Sequence, residues 1–354
     1  MITRKILTGA AAAAVLALAL TGCTAPLNSS SDKGGKGEDA GQVVATESSE
    51  TCTNPSPTDT PLSEMKIGYS QSENEQNPFR AVETASVRDA VEASGAEFLY
   101  TNANSDQAKQ LSDIQSMINQ GVDALIVSPI SSSGLQAAFE TAKDKGIAIL
   151  IIDRETAGTP CEDTINSFIG SDFYQQGLRA GEAMAEAMGG KGSIAEIQGP
   201  SGTDVAKARS EGFAEALKKF PDMKVVAKQP GNWSTSEAQE LLGQMMSANP
   251  EITGVYTHSD TMALGAITAL NNFGKKPGKD VFITSVDGSA DAVRYVATGE
   301  IYASVETSPR FGPAAVSLLE DWFAGKPVAQ QTLLEDRLYT VENAQDALDS
   351  GDAY

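Results

Sequence analysis

The chain has 354 residues, more than one ordinary hydrophobic core accommodates, so two lobes are expected. Its 26 Lys and Arg face 47 Asp and Glu, and the resulting net charge of -21 repels phosphate backbones and argues against a nucleic-acid partner. One histidine and three cysteines exclude most His-rich metal sites and leave a histidine-dependent hydrolase with His258 alone.

The first 22 residues have the pattern of an export signal. Arg4 and Lys5 supply positive charge, and residues 6–20 form an apolar run too short for a settled transmembrane helix. The run ends in a Leu-Thr-Gly-Cys motif at Cys23, which resembles the lipobox of bacterial lipoproteins. That resemblance implies cleavage before Cys23 and acylation of its thiol, so we expect an extracytoplasmic protein anchored to the membrane by lipid.

The segment 23–61 is rich in Ser, Gly, Thr, Pro and acidic residues. It cannot bury enough apolar surface to offset its ordering entropy, so we predict a flexible tether. In an oxidising compartment, the remaining Cys52 and Cys161 favour a disulfide that would pin this segment to the first lobe; two free thiols are the alternative.

The next part of the chain alternates strand and helix patterns. Apolar residues at 111, 114 and 118, and at 135, 138, 139 and 142, have the spacing of one helical face. Four strand–helix units at this spacing predict a doubly wound α/β lobe. The predicted strands are 65–70, 97–102, 124–127 and 148–152.

The fourth of these strands ends in two opposite charges, Asp153 and Arg154. Residues 148–152 are apolar without alternation, as in a strand buried on both faces. Ligands of open α/β sheets lie beyond the carboxyl ends of the strands, so we interpret the pair as the floor of a ligand site. A strand-end ion pair that only closes a loop is the alternative.

A second strand and helix series predicts a second doubly wound lobe. Its predicted strands are 167–170, 193–198, 224–228, 254–257, 281–286 and 301–305. Its predicted helices are 173–188, 205–220, 237–248, 261–273 and 290–297, with a last helix at 313–323. We expect an amino-terminal lobe of 62–168 plus 308–335 and a carboxyl-terminal lobe of 169–307 plus 336–354. The chain would cross between them near 168–171, 306–309 and 334–337, so that the lobes close like a jaw.

Several motifs in this order resemble the type I periplasmic binding proteins for sugars, the substrate-binding components of ABC importers. Within that family the chain is similar to the ribose and galactofuranose binders. The motifs are Asn77-Pro78-Phe79, Asp153-Arg154, Arg209-Ser210-Glu211-Gly212-Phe213 and Ser285-Val286-Asp287-Gly288. The resemblance spans nearly all of residues 65–340.

The resemblance implies a set of residues that contact a monosaccharide, with acids accepting from hydroxyls and arginines and an amide donating to them. They are Glu75, Asn77, Phe79, Arg80, Asp153, Arg154, Arg209, Ser259 and Asp287. Ser259 stands where the family usually has Asn, which bears on the identity of the sugar. Trp233 is either a flat apolar partner for the sugar or a loop anchor, and Glu306 is either a ligand contact or a hinge residue. The resemblance implies no metal and no cofactor.

We therefore expect a monomeric solute-binding lipoprotein that captures a pentose or hexose, in pyranose or furanose form, and delivers it to ABC permease subunits. The main alternative is a sugar or autoinducer receptor that feeds a chemoreceptor or sensor kinase. An exported glycosidase using Asp153 and Asp287 is disfavoured, because the surrounding arginines are expected to keep both acids ionised.

Overall fold

The computed structural model describes residues 45–158, 160–161 and 166–354. The predicted signal peptide, Cys23 and the tether up to residue 44 lie outside these residues. In chain order, strands β1 to β15 are Ala45–Glu47, Thr51–Cys52, Lys66–Gln71, Glu97–Asn102, Ala124–Val127, Ala148–Asp153, Ser167–Gly170, Lys191–Gln198, Asp222–Pro230, Ile252–Thr257, Phe282–Asp287, Ala303–Glu306, Val328–Ala329, Gln331–Leu334 and Leu338–Tyr339. Helices α1 to α10 are Pro78–Ala93, Gln107–Asn119, Gln136–Asp144, Phe173–Met188, Asp204–Leu217, Thr235–Ala248, Asp260–Asn272, Ala290–Ala297, Gly312–Phe323 and Ala344–Ser350.

The first lobe is built on a sheet of order β1-β14-β7-β6-β5-β3-β4, parallel except for β1. Its central strand β6 is buried along its whole length because helices cover both faces. Ile149 and Ile151 pack with residues of α2 and α3, whereas Leu150 and Ile152 pack with residues of α1 and α9. This two-sided burial accounts for the non-alternating apolar sequence.

The second lobe has a sheet of order β15-β12-β11-β10-β8-β9, parallel except for β15. One face packs on α6, α7 and α8, and the other packs on α4 and α5. The predicted fold class, two doubly wound α/β lobes, is confirmed. Strand β7 reaches Gly170 within the first sheet, two residues beyond the predicted lobe boundary at 168.

Three segments connect the two sheets, and we call them crossings. The first crossing, residues 171–172, joins β7 to α4; the second, residues 307–311, joins β12 to α9; and the third, residues 335–337, joins β14 to β15. They overlap in part the segments 168–171, 306–309 and 334–337 that were predicted to form the hinge.

The tether prediction is wrong for residues 45–61. Strand β1 pairs with β14 at the edge of the first sheet, and β2 pairs with β13. Cys52 and Cys161 form the disulfide favoured by the sequence, with Cα atoms 5.6 Å apart. The prediction was based on the low content of apolar side chains. The segment is instead held by backbone strand pairing and a disulfide, neither of which depends on that content.

No helix within residues 45–158, 160–161 and 166–354 has the length and apolar character needed to cross a membrane. The same residues contain no cluster of three or more His, Cys, Asp or Glu side chains placed to hold a metal ion.

Candidate ligand-binding site

The site begins at the carboxyl end of β6, where the backbone turns at Asp153. Asp153 has φ of 64°, and the Arg154 amide donates to the carbonyl of Ile152 at 2.8 Å. This left-handed conformation is uncommon for a residue other than glycine. The tight turn leaves the Asp153 carboxylate buried and holds it against the Arg80 guanidinium, 2.7 Å away.

Arg80 reaches Asp153 from the first turn of α1. Asn77 caps this helix by accepting from the Phe79 amide at 3.0 Å, which leaves the Asn77 side-chain NH2 group to donate elsewhere. Arg80 is buried and also pairs with Glu83 at 2.7 Å and Glu73 at 3.3 Å. Its charge is therefore compensated by three carboxylates within the first lobe.

Glu73 links the two arginines of this lobe. One of its oxygens accepts from Arg80, and the other accepts from Arg154 at 2.8 Å. Burial alone would raise the pKa of Glu73, but the charges of Arg154 and Arg80 outweigh it and lower the pKa from 4.5 to about 2. Glu73 is thus ionised at neutral pH, and it orients both guanidiniums toward the cleft.

The second lobe contributes a matching arginine and acid. Arg209 lies on the buried face of α5, and its Nη2 is 3.8 Å from the Asp287 carboxylate at the end of β11. Asp287 has φ of 132°, and it accepts a hydrogen bond from the Asp260 amide at 3.3 Å. Ser259 caps α7 beside them, with its hydroxyl accepting from the Met262 amide.

Aromatic rings flank these charges on both sides of the cleft. The Arg80 guanidinium lies 4.9 Å from the Phe79 ring, and the Arg209 guanidinium lies 5.4 Å from Phe173 and 5.9 Å from Trp233. The Trp233 ring packs on Gly199, where an added Cβ would lie 2.1 Å from the indole. A glycine is therefore required under this ring.

The residues converge on one cavity between the lobes. It is lined by Glu73, Asn77, Phe79, Arg80, Asp153, Arg154, Phe173, Val205, Arg209, Trp233, Ser259, Asp287 and Thr307. The cavity shares six of these residues with a wider cleft of about 1030 Å³, whose rim comes from both lobes. The cleft is large enough for a small ligand, and the cavity below it supplies concentrated polar groups.

A family model described as a periplasmic binding protein domain matches residues 67–327. The chain belongs to this family. It is similar to the galactofuranose-binding protein of Escherichia coli (strain K12), with 30% identity over 80% of this chain and 91% of the relative.

Solved structures with the same fold include two with furanose sugars in their titles. One is a protein from Mycobacterium smegmatis in complex with β-D-fucofuranose, with TM-score 0.77 and 32% identity over 82% of this chain and 95% of that chain. The other is the periplasmic binding protein component of the arabinose ABC transporter from Shewanella sp. ANA-3, bound to α- and β-L-arabinofuranose. It has TM-score 0.77 and 30% identity over 80% of this chain and 94% of that chain.

The structure brings together most of the residues that the sequence singled out. Those that line the cavity are Asn77, Phe79, Arg80, Asp153, Arg154, Arg209, Trp233, Ser259 and Asp287. Trp233 lines the cavity and also packs on Gly199. Its indole Nε1–H is buried and has no hydrogen-bond partner within the described part of the chain.

Two predicted site residues lie elsewhere. Glu75 is exposed and accepts a hydrogen bond from the Tyr100 hydroxyl outside the cavity, so the acid of this turn that lines the cavity is Glu73. Glu306 is buried at the hinge, where its carboxylate accepts from the Arg337 amide at 3.0 Å. Glu306 thus lies at the position that the hinge alternative gives it.

Four lining residues were missed by the sequence analysis. Glu73 is two residues from the predicted Glu75, in a turn whose length makes the match to the family ambiguous. Phe173 directly follows the first crossing, and Thr307 directly follows Glu306. Their proximity to the hinge could have indicated that they line the cavity. Val205 lies one helical turn before Arg209 on the same face of α5, a spacing that the helical pattern contains.

Burial opposes the ionisation expected of Asp287. Burial raises the pKa of Asp287 well above its usual range, more than the opposing charge of Arg209 lowers it. A ligand hydroxyl that donates to this carboxylate would stabilise the ionised form.

His258 has a structural environment. Its imidazole Nε2 lies 3.1 Å from Glu196, whose carboxylate also accepts from the Ser210 hydroxyl. Glu196 thus separates Ser210 from the imidazole, and the hydroxyl is not paired with a histidine base.

We expect the ionised Glu73 to make part of the stability of the protein depend on acid pH. Because its folded pKa of about 2 lies below its unfolded value, the contribution is fully present above about pH 5 and is lost as the pH falls toward 2. A shift of this size corresponds to about 3 kcal/mol, of which about 2 kcal/mol is lost by pH 3. The free energy of unfolding of wild type and Glu73→Gln, measured by urea denaturation at about pH 6 and pH 3, gives the comparison. The difference between the two proteins should shrink by about 2 kcal/mol, and an unchanged difference would contradict the assignment.

Proposed function

We propose that this protein is an extracytoplasmic substrate-binding lipoprotein that captures a monosaccharide between its lobes and delivers it to an ABC importer. The observation that carries the proposal is one cavity lined by three carboxylates, three guanidiniums and three aromatic rings from both lobes. A sugar matches this lining, since its hydroxyls donate and accept hydrogen bonds while its ring faces are apolar.

The charges of the cavity favour an uncharged ligand. A ligand hydroxyl that donates to Asp287 stabilises the ionised carboxylate, and Glu73, Asp153 and Asp287 then balance Arg80, Arg154 and Arg209. A sugar acid or sugar phosphate would add an unbalanced negative charge in a buried site, which is costly. A neutral pentose or hexose keeps the balance and receives charge-assisted hydrogen bonds of about 1.5–3 kcal/mol each.

Two similar structures contain furanose sugars, and this supports a furanose ring form for the ligand of this chain. A five-membered ring places its hydroxyls over a smaller apolar face than a pyranose, and Phe79, Phe173 and Trp233 lie around the polar groups of the cavity. The Trp233 indole N–H, which has no hydrogen-bond partner among the described residues, adds one further donor for a hydroxyl or a ring oxygen. We propose a monosaccharide that binds in its furanose form.

Transport follows from closure about the three crossings. A ligand that bonds residues of both lobes stabilises the form in which they approach each other, as in hinge closure of binding proteins generally. The closed monomer offers one surface from each lobe to the two permease subunits. A sensory receptor would use the same closure, so a partner kinase or chemoreceptor in place of the permease is the second candidate.

The lipid anchor completes the proposal. Cys23 would carry the acyl chains after removal of residues 1–22, keeping the binding protein at the outer face of the cytoplasmic membrane. Mass spectrometry of the membrane fraction should find a modified Cys23 at the amino terminus. Recovery of a soluble, unmodified protein that begins elsewhere would contradict the anchor.

The test of ligand class is isothermal titration of the mature chain from residue 23 with Cys23→Ser, against ribose, arabinose, xylose, glucose, galactose and fructose. We expect one sugar to bind near micromolar Kd, or about -8 kcal/mol. The uronic acid of a bound hexose is the matched charged control and should bind at least tenfold more weakly. Absence of binding to every neutral sugar, or tighter binding of the acid, would overturn the proposed ligand class.

A further inference from the structure

Gln176, which does not line the cavity, is in contact with the binding arginine. It lies in the first turn of α4 and is 1% exposed. Its Oε1 accepts from the Nε of Arg209 at 2.9 Å. Its Nε2 lies 2.7 Å from Asp336 Oδ2, 3.0 Å from Thr307 Oγ1 and 3.3 Å from the carbonyl oxygen of Glu306. The two N–H bonds of this amide therefore serve three acceptors.

These acceptors belong to the hinge. Thr307 begins the second crossing, and Asp336 is the middle residue of the third. Asp336 also accepts from the hydroxyl of Ser171, in the first crossing, at 2.8 Å. One buried amide thus connects all three crossings, two of them directly and the first through the Asp336 carboxylate.

The guanidinium of Arg209 is held on each of its nitrogens. Besides the Nε bond to Gln176, Nη1 donates to the carbonyl of His258 at 2.5 Å and Nη2 donates to Thr307 Oγ1 at 2.9 Å. These contacts fix the plane of the group and aim it at Asp287. Two of the three come from groups that are themselves joined to the crossings.

We propose that Gln176 is a positioning residue that couples the three hinge crossings to the orientation of Arg209. The inference rests on the proposed function, since it assigns a role in that same site. Closure changes the backbone at the crossings, and the network transmits this change to the arginine that contacts the ligand. Coupling is reciprocal, so a ligand that contacts Arg209 also favours the backbone conformation of the crossings that goes with this orientation of the arginine.

The chemistry explains why the residue is a glutamine. The position needs an acceptor toward Arg209 and a donor toward Asp336, which only a carboxamide of this length supplies. Leucine would remove both functions at similar volume. Glutamate would keep the acceptor for Arg209 but place two carboxylates against each other, one of them on Asp336.

The exchange of donor and acceptor between two positions gives a specific test. We compare wild type, Gln176→Leu, Gln176→Glu, Asp336→Asn and the double variant Gln176→Glu/Asp336→Asn, all as the mature chain with Cys23→Ser. In the double variant the carboxylate at 176 accepts from both Arg209 and the new amide at 336, so the link is rebuilt with reversed polarity. Burial raises the pKa of Asp336 to about 7, so the measurements are made at about pH 8.5 to keep it ionised.

The first readout is affinity for the sugar that wild type binds. We expect Gln176→Leu and Gln176→Glu to raise Kd at least tenfold and the double variant to return it to within about threefold of wild type. Gln175→Leu is the matched control, because this exposed glutamine lies on the same turn of α4 and lines neither the cavity nor the cleft, and the change should alter Kd less than threefold. Wild-type affinity in Gln176→Leu, or a double variant no tighter than Gln176→Glu alone, would overturn the coupling.

The second readout needs no sugar and separates this inference from the proposed function. The Arg209 Nε–H signal, assigned in nuclear magnetic resonance spectra with Arg209→Lys, reports the bond to Gln176 in the ligand-free protein. Its exchange with water should be slow in wild type, fast in Gln176→Leu and slow again in the double variant. Equal exchange in wild type and Gln176→Leu would overturn the positioning role. A wild type that binds no sugar but shows this pattern would refute the proposed ligand class alone.

Discussion

Replacing Asp153 with asparagine should weaken monosaccharide binding by about 2–4 kcal/mol, or roughly 30- to 700-fold in Kd. The substitution removes a charged acceptor from the floor of the cavity and leaves the Arg80 and Arg154 guanidiniums, at 2.7 and 3.5 Å, without this partner. Glu73 and Glu83 still neutralise Arg80, so the first lobe should remain folded.

Asparagine is the informative choice at this position. The backbone at position 153 has φ of 64°, in the left-handed region, which asparagine tolerates better than alanine. Backbone strain therefore does not add to the loss of affinity. Isothermal titration with the sugar found for wild type measures the effect. Glu75→Gln is the matched control: this exposed acid was predicted to contact the ligand but lies outside the cavity, and its change should leave Kd within about twofold. Near-normal affinity of Asp153→Asn would remove Asp153 from the site.

Removing the disulfide between Cys52 and Cys161 should lower the free energy of unfolding more than any of the other substitutions. Cys52 and Cys161 are separated by 109 residues, so the bond constrains a long loop of the unfolded chain. The loop-entropy model assigns about 4–5 kcal/mol to a loop of this length, and native disulfides typically contribute about 2–5 kcal/mol. The double variant Cys52→Ser/Cys161→Ser should therefore unfold at a much lower urea concentration than wild type.

Reductant provides an internal check on the disulfide prediction. Dithiothreitol should bring wild type to the stability of the double variant and leave the double variant unchanged. The strand pair β2 and β13, which holds Cys52 beside the first lobe, should become accessible to protease in the variant. Equal stability of wild type and the double variant, with or without reductant, would refute the contribution.

Much of the architecture was accessible from local sequence patterns. The apolar run that ends at Asp153 marks a strand covered on both faces, and β6 is such a strand because helices pack against each of its sides. The alternation of strand and helix gave the two lobes and their crossings to within a few residues. Such features depend on side-chain periodicity, which neighbouring residues carry among themselves.

The resemblance to a family carried the prediction into the site. It led to eight residues that line the cavity, including Asp153 and Arg209, and the search for a flat apolar partner added Trp233. Residues outside those motifs were missed or misplaced. The choice between Glu73 and Glu75 depends on how one turn presents its side chains to Arg80 and Arg154, and turn length alone does not resolve it.

Only the tertiary structure decided the contacts made across long separations. Strand β1 pairs with β14, nearly 300 residues away in the chain, although its composition predicts a tether. Gln176 meets Arg209, Thr307 and Asp336 only because the fold brings α4, α5 and two of the crossings together. Hydrogen bonds of this kind need one donor and one acceptor in register and leave no periodic trace in the sequence. The sequence by itself therefore determined the elements and most of the residues that line the cavity, whereas the packing of the lobes determined which groups hold them in place.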